Sequence, residues 1–510
     1  MTAPDPNATE PLEYVLISDV HLNELSEPPR PGWWEYKGLA SAQDAELVAF
    51  MAALEAQRPA YFARTVLIMN GDTFDFDTCF SGPDGTTLPP EGLPPTVAGS
   101  IHKMGRILAD HAPFVAGLAR FLSRGNRAIF VMGNHDRELH FAPVQDLLRD
   151  LVARAAPPGA SAAVAAAIAF EPWFVYAPGV LYAEHGNQYD ATCSYRDVLD
   201  PSVPPTGRHG LELETPFGSL LGRHTLCRLG TFNPYNDESF ILSLGGYVAH
   251  WRRFYFPRRP FFTAYVAAAW RGLRELRGRR TRQLRGRPPR PAPDDPPYQA
   301  YRDAKGVDAA FIARQLRLSS VPIADRAGLL YHEMWLDRFL LMFAALAIFV
   351  VGAALARTWT HAALLLALLP VLLFVFRTMG RGSLALQERA RWGLVAESIA
   401  EALTVPVVAF GHSHRPERRP LTQGGRYYNL GSWAPVLPSD RGSTLARARR
   451  YLVVRADANR RVHVAFARWG DDGDGARGNP GERPGGRPEG MATRLGPGDP
   501  TGVSRPGDTE

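Results

Sequence analysis

The chain has few cysteines and lacks a segment typical of secretion. Its 510 residues include three cysteines, Cys79, Cys193 and Cys227, which are far apart and without paired spacing. This scarcity argues against a disulfide framework and against a zinc-finger type of site. Residues 1–11 are polar, contain proline and lead directly into an apolar run, so no secretory signal is predicted. Both absences favour a reducing, cytoplasmic compartment.

Acidic residues are nearly missing from one part of the chain. Between Arg252 and Arg290 there are 13 arginines and one acid, Glu275, whereas the net charge of the whole chain is only +6. Tryptophan, tyrosine and phenylalanine alternate with these arginines, a mixture typical of a membrane interface. A solvated basic loop is the alternative, and nucleic acid is the least favoured partner. We therefore expect residues 251–290, the basic aromatic segment, to contact membrane lipids.

Two long apolar runs follow, at residues 339–356 and 359–376. Each is about 18 residues long, or roughly 27 Å of helix, close to the hydrocarbon thickness of about 30 Å. A buried helical hairpin in a soluble protein is the alternative. Arginines flank the pair on both sides, which places both flanks in the cytoplasm. The pattern predicts a transmembrane hairpin in an integral membrane protein, with the remaining domain on the cytoplasmic face of the cell membrane.

Residues with metal-binding side chains are grouped in five short motifs. They are Asp19-Val20-His21, Gly71-Asp72 with Asp75, Gly133-Asn134-His135-Asp136, His185-Gly186 and Gly411-His412-Ser413-His414. Each follows a short apolar run that is typical of a buried strand. Ligands of open α/β sheets bind outside the carboxyl ends of the strands, so we expect the motifs to meet at one edge. Their carboxylate, amide and imidazole groups suit a pair of divalent metal ions.

The order D-V-H, G-D-T-F-D, G-N-H-D, E-H-G and G-H-S-H resembles the calcineurin-like metallophosphoesterase superfamily. The resemblance covers residues 13–188 and 405–468, about half of the chain. It implies an α/β fold, a two-sheet αββα sandwich with a dinuclear metal centre, into which the two-helix hairpin would be inserted. The chain would then be a metal-dependent phosphoric ester hydrolase.

The resemblance also implies which residues hold the two ions. Asp72 would bridge them. One ion would be held by Asp19, His21 and His414, and the other by Asn134, His185 and His412. This set accommodates manganese, iron or zinc, of which manganese is favoured. Hydroxide held between the ions would attack phosphorus.

Three further residues are candidates for roles beside the metal ions, and the resemblance implies the role of the first. His135 is the candidate that protonates the leaving group, since imidazole titrates near neutral pH; a purely structural hydrogen-bonding role is the alternative. Asp75 and Asp136 are expected to orient an imidazole or to brace a loop, and a structural role is the alternative for them as well.

The substrate is less defined than the chemistry. Leu16 to Leu22 and the sequence G-H-S-H-R-P are similar to bacterial UDP-2,3-diacylglucosamine pyrophosphatases. The chain departs from that group in the histidine of G-N-H-D, in the residues that follow His185 and in its long insertion. We expect a phosphoester or pyrophosphate substrate, with a lipid-linked one favoured by the membrane hairpin. The alternatives are a phosphodiesterase of soluble nucleotides and a non-catalytic membrane adaptor.

These interpretations divide the chain into four parts. The phosphoesterase core would comprise residues 12–190 and 383–468. Residues 191–382 would form the insertion that contains the basic aromatic segment and the hairpin. Residues 469–510 are rich in glycine, proline and charge, with almost no apolar side chains, and are expected to be disordered.

Overall fold

A computed structural model describes most of the chain. The described residues are 12–25, 40–86, 88, 92–203, 210–221, 270, 274, 290–326, 329, 332, 336–355, 358–380, 384–434, 449–457 and 461–469. The predicted disordered tail, apart from residue 469, lies outside these residues. Nearly all of the basic aromatic segment does so too.

The described strands, numbered in chain order, form two large mixed sheets and one small one. The first sheet contains β1 (Leu12–Ile17), β2 (Arg64–Asn70), β3 (Arg127–Val131), β4 (Ile168–Glu171), β12 (Arg449–Ala456) and β13 (Val462–Trp469). Its order is β13-β12-β1-β2-β3-β4. Strands β1 to β4 run parallel, whereas β12 and β13 are antiparallel to their neighbours.

The second sheet has the order β10-β11-β9-β6-β5. Its strands are β5 (Phe174–Ala177), β6 (Leu181–Glu184), β9 (Val407–Phe410), β10 (Pro416–Pro420) and β11 (Arg426–Leu430). Strands β6, β9 and β11 are parallel, with antiparallel β5 and β10 at the two edges. Two short strands, β7 (Ser202–Val203) and β8 (Glu212–Leu213), pair by themselves.

Eleven helices are found among the described residues, and eight of them pack on the two large sheets. The helices are α1 (Ala40–Gln57), α2 (Val97–Asp110), α3 (Ala112–Ser123), α4 (Ala142–Arg154), α5 (Ser161–Ala166), α6 (Phe217–Leu221), α7 (Pro296–Lys305), α8 (Ala309–Leu318), α9 (Leu336–Leu355), α10 (Trp359–Gly380) and α11 (Leu384–Leu403). Helices α1 to α5 bury apolar side chains against the first sheet. Helices α7, α8 and α11 do so against the second sheet.

The alternating direction of side chains along the strands explains why each sheet has a core on both faces. In β1, Val15 and Ile17 point into the core shared with helices α1 to α5, while Tyr14 and Leu16 point into a core shared with the second sheet. Successive side chains of a strand face opposite sides of the sheet, so one apolar strand supplies both cores. The chain thus forms a mixed α/β sandwich in which two sheets face each other and helices cover the outer faces.

Part of the predicted insertion belongs to the sandwich. Tyr298 of α7 and Phe311 of α8 are buried in the core that covers the second sheet, together with Trp173 and Tyr182. Tyr298 also donates a hydrogen bond to Asp197 at 2.8 Å. Residues 296–318 are therefore a structural layer of the second sheet.

The two apolar runs form helices α9 and α10, which contact each other. Many of their described side chains are exposed, among them Phe343, Leu346 and Phe374. Within the described residues, however, no helix is long and apolar enough to cross a membrane. The predicted transmembrane hairpin is therefore not found. Residues 356 and 357, which include the end of the first predicted run, are outside the described part.

Candidate metal centre

The five motifs meet at one edge of the sandwich, as the strand-end pattern predicts. Asp19 follows β1, Asp72 follows β2 and Asn134 follows β3, while His185 follows β6 and His412 follows β9. Backbone hydrogen bonds from Asp19 to Gly71 (3.1 Å) and from His21 to Asp72 (2.9 Å) join the first two loops. The amide of Gly411 donates to the carbonyl of His185 at 2.9 Å and joins the loops of the second sheet. Both sheets thus supply side chains to one site.

An unusual backbone conformation marks this site. Among the described residues other than glycine, six have positive φ, and five of these are Asp19, His21, Asp72, His412 and His414, with φ between 51° and 65°. A side chain in this region costs roughly 1–2 kcal/mol relative to ordinary conformations. Such strain persists where the surroundings enforce it, typically at functional sites. All five are predicted metal ligands, so the strained turns aim their side chains into one space.

The first group of converging side chains contains Asp19, His21, Asp72 and His414, whose ligand atoms all lie within 4.8 Å of one another. Nε2 of His414 is 3.1 Å from Oδ1 of Asp19 and 3.2 Å from Nε2 of His21. Nε2 of His21 is 4.0 Å from Oδ2 of Asp72. Imidazole nitrogens and carboxylate oxygens directed at a common point are the arrangement that a divalent ion requires.

The second group contains Asp72, His185 and His412, again within 4.8 Å. Nε2 of His185 is 3.2 Å from Oδ2 of Asp72. The side-chain oxygen Oδ1 of Asn134 is buried without a hydrogen-bond partner. Asn134 precedes His135, whose amide donates to Oδ1 of Asp72 at 2.8 Å. A buried acceptor left unpaired is costly unless a ligand uses it. Asp72 belongs to both groups, as expected for a bridging carboxylate.

Neighbouring groups select which ligand atoms face the centre. Oδ2 of Asp19 accepts from Oγ of Ser18 at 2.6 Å and from the amide of His412 at 3.0 Å, which leaves Oδ1 directed at His414. Nδ1 of His185 is 3.1 Å from the carbonyl of Asn70. This contact fixes the proton on Nδ1 and leaves Nε2 as the ligand atom.

His135 is beside both groups and, in agreement with the sequence analysis, belongs to neither of them. Its ring nitrogen does lie within 4.8 Å of ligand atoms of His21 and Asp75. Its Nδ1 is 3.1 Å from Oδ1 of Asp75, and its side chain is 18% exposed. Burial lowers the pKa of His135, but the carboxylates of Asp75 and Asp72 outweigh burial and raise that pKa to about 10. These carboxylates therefore favour the charged form of the ring, whose Nδ1 faces Asp75. Asp75 orients this imidazole, as one of the two predicted roles requires.

Asp136, for which bracing a loop is the other predicted role, lies between the β2 and β3 loops. Its Oδ1 accepts from the amide of Gly133 at 2.6 Å, and its Oδ2 accepts from the amide of Thr73 at 2.7 Å. Burial and the nearby charge of Asp72 raise the pKa of Asp136 to about 7. The side chain thus joins the β2 and β3 loops through two backbone hydrogen bonds.

The remaining titratable groups carry charges that suit metal binding. Burial and the charge of His135 lower the pKa of His21 to about 4, so this imidazole is neutral at pH 7. Burial lowers the pKa of His185 as well, but Asp72 and Asp19 outweigh it and raise the pKa to about 9. Burial raises the pKa of Asp72, yet His185 and His135 hold it well below its usual range. A metal ion would displace the proton of His185.

Sequence reasoning missed two residues that contact His412. Oδ2 of Asp190 is 2.9 Å from Nε2 of His412, which leaves Nδ1 for a metal ion. The ring of Trp392 on α11 meets the same imidazole edge to face, with centroids 5.9 Å apart. Asp190 follows His185 by only five residues, in the short 3₁₀ turn Asn187–Tyr189 and its cap. That closeness to a motif is the signal that could have identified it.

The side chains fit two divalent ions by donor type, by the shared carboxylate and by the unpaired oxygen of Asn134. Comparison with protein-family models gives no match, and neither does comparison with curated proteins. The geometry of the site therefore carries the functional argument.

Proposed function

We propose that the chain is a metallophosphoesterase of the calcineurin-like type, which hydrolyses a phosphoester or pyrophosphate with two divalent ions. The observation that carries this proposal is the pair of ligand groups that share Asp72. A shared carboxylate is typical of two-metal hydrolases, in which the ions stabilise the attacking and leaving oxygens of a displacement at phosphorus. Manganese is the favoured metal.

Asp19, His21, Asp72 and His414 would hold one ion, and Asp72, Asn134, His185 and His412 the other. The ions would supply an activated water and neutralise charge on the phosphoryl oxygens. The protein's own contribution is centred on His135. Because Asp75 holds its Nδ1 and keeps the ring charged, Nε2 can donate a proton to the leaving oxygen. The partial exposure of His135 gives a substrate access to that nitrogen.

The substrate that we favour is lipid-linked and anionic. Helices α9 and α10 expose Leu340, Phe343, Leu346 and other large apolar side chains. Contiguous apolar surface of this kind marks a lipid or partner contact. We propose that it attaches the enzyme to the cytoplasmic face of the cell membrane, where headgroups reach the metal centre. Hydrolysis of soluble nucleotides is the alternative.

The enzyme proposal is tested by metal content and turnover of bis-p-nitrophenyl phosphate on the same sample. We expect two ions per chain and turnover in the wild type. In Asp72→Asn we expect fewer than two ions per chain and no turnover. Asp84→Asn is the matched control, because Asp84 is an exposed acid whose side chain accepts hydrogen bonds from the neighbouring Thr86. Absence of metal and of turnover in the wild type would favour the adaptor.

The substrate proposal needs a separate comparison. Purified protein with Mn²⁺ should hydrolyse a phosphoester anchored in vesicles faster than the same headgroup without its lipid. Replacing Leu340 and Phe343 together by glutamine should remove vesicle binding and this preference, while turnover of the soluble ester stays unchanged. A preference for soluble nucleotides would contradict the lipid-linked substrate.

A further inference from the structure

A further group of metal-binding side chains, which includes a cysteine, lies beside the two that share Asp72. Ligand atoms of Asp190, Cys193 and His412 all lie within 4.8 Å of one another. The closest pair is Oδ2 of Asp190 and Nε2 of His412, at 2.9 Å. Asp190 and Cys193 are buried, and His412 is partly exposed. This group is distinct from the dinuclear set because two of its three residues, Asp190 and the thiol-bearing Cys193, are not part of that set.

The donor types of this group select a different class of metal. The dinuclear set offers oxygen and nitrogen alone, which suits manganese, whereas thiolate is a soft ligand that favours zinc. Zinc is commonly bound by cysteine, histidine and aspartate in four-coordinate sites, and a site with three protein ligands keeps a position for water. A thiolate, an imidazole and a carboxylate within one small volume therefore match zinc better than manganese.

The backbone holds the three side chains in place. Oδ1 of Asp190 accepts from the amide (2.6 Å) and Oγ1 (2.7 Å) of Thr192, so Oδ2 stays directed at His412. The amide of Cys193 donates to the carbonyl of Asp190 at 3.1 Å, which closes a tight turn. A Cβ on Gly218 would lie 2.6 Å from Sγ of Cys193, so only glycine leaves room for the thiol.

His412 connects this group to the dinuclear centre. One imidazole has two nitrogens, and the contact of Nε2 with Asp190 is what leaves Nδ1 for the dinuclear set. An ion at Nε2 would replace that hydrogen bond and draw the ring toward Cys193. Since partners that orient a ligating histidine change metal affinity about 10- to 100-fold, occupation here weakens the neighbouring ion.

We propose that Asp190, Cys193 and His412 form a third metal site that takes Zn²⁺ and inhibits the dinuclear centre through the shared His412. Binding releases the thiol proton to solvent, as metal binding to cysteine requires. The proton that Nε2 of His412 donates to Asp190 must also leave that nitrogen, and it moves to Nδ1, where it occupies the atom that the dinuclear set would use. The existence of the site is independent of the enzymatic activity. Only the inhibitory effect rests on the function proposed above.

The binding test uses Co²⁺ as a spectroscopic probe for Zn²⁺ on the full chain loaded with Mn²⁺. A thiolate-to-cobalt charge-transfer band in the near ultraviolet can arise only from cysteine, because the dinuclear set contains no sulfur. We expect the band in the wild type and in the double variant Cys79→Ser/Cys227→Ser, and its loss in Cys193→Ser and in Cys193→Ala. Absence of the band in the wild type, or its survival in both Cys193 variants, would overturn the proposal.

The inhibition test compares the same proteins in turnover of bis-p-nitrophenyl phosphate with Mn²⁺. Zn²⁺ should inhibit the wild type, and Cys193→Ser should raise the half-inhibitory Zn²⁺ concentration by about 10- to 100-fold. Equal inhibition of both proteins would refute the inhibitory role. A protein that shows the cobalt band but no turnover would refute the proposed enzyme and leave the third site standing.

Discussion

Gly133→Ala is the substitution whose effect can be worked out most directly from the geometry. A Cβ at position 133 would lie 2.2 Å from Oδ1 and 2.6 Å from the backbone nitrogen of Asp72. Real Cβ atoms do not approach heavy atoms so closely, and the backbone atom cannot swing aside as a flexible side chain can. The methyl group must therefore push the β2 and β3 loops apart at the carboxylate that both ligand groups share.

The magnitude follows from what that movement breaks. Overpacking a tight core costs about 1–3 kcal/mol, and the hydrogen bond from the amide of His135 to Asp72, at 2.8 Å, is of the charged type worth about 1.5–3 kcal/mol. Together these two costs predict a loss of about 2.5–6 kcal/mol in the free energy of unfolding. A misplacement of about 1 Å costs about 100-fold in rate, so kcat/KM for bis-p-nitrophenyl phosphate should fall at least that much.

The assay is urea unfolding together with metal analysis and turnover, and Gly105→Ala is the matched control. Gly105 is inside α2, where the nearest atom to an added Cβ is 4.0 Å away. The same methyl group should therefore stabilise that variant by roughly 0.5–1 kcal/mol and leave turnover unchanged. If Gly133→Ala kept two ions and wild-type turnover, the inference that the two loops leave no room for a methyl group at Asp72 would be wrong.

Three other predictions concern metal and buried charge. Asn134→Ala removes an unpaired buried acceptor, so the free energy of unfolding of the metal-free protein should stay unchanged or rise, while metal analysis shows one ion in place of two. Lys103→Met removes the cation 2.5 Å from buried Glu138 and should lower the free energy of unfolding, measured with urea, by about 3 kcal/mol. As its control, Arg149→Met breaks the partly exposed pair with Asp146 and should lower it by at most about 1 kcal/mol. Chelation should lower the melting temperature of the wild type, since metal at about 100 times its dissociation constant stabilises the folded state by about 2.7 kcal/mol; an unchanged melting temperature would contradict folded-state metal binding.

Much of the fold and of the site was predictable because the ends of the strands are marked in the sequence. Short apolar runs followed by glycine or by the motif itself identified β1, β2, β3, β6 and β9, and the edge where their ligands meet follows from parallel pairing. The strained backbone was not predictable. Glycines at positions 71, 133 and 411 indicated tight turns, but the positive φ values at Asp19 and His412 arise from tertiary contacts that sequence propensity does not encode.

The insertion shows the limit of reading composition alone. Residues 191–382 look like one separate unit because basic and apolar stretches dominate them, yet Tyr298 and Phe311 are part of the core of the second sheet. Helices α7 and α8 are short and only moderately apolar, so their packing partners depend on the folded arrangement. Asp190 was missed for a related reason, since its contact with His412 joins positions 222 residues apart.

Other long-range contacts make the geometry of the site depend on the whole sandwich. The carbonyl of Asp19 accepts from the amide of Trp433 at 3.0 Å and from Oγ of Ser432 at 2.9 Å. The side-chain amide of Gln43 donates to the carbonyls of Val20 and Trp433. Residues that follow β11 thus fix the loop that carries the first ligands, although more than 400 positions separate them along the chain. Neither half of the sequence can present either ligand group by itself, because Asp72 is in the first half and His412 and His414 are in the second. The complete ligand set therefore exists only when both sheets are assembled, and the contacts between them hold the strained ligands in place.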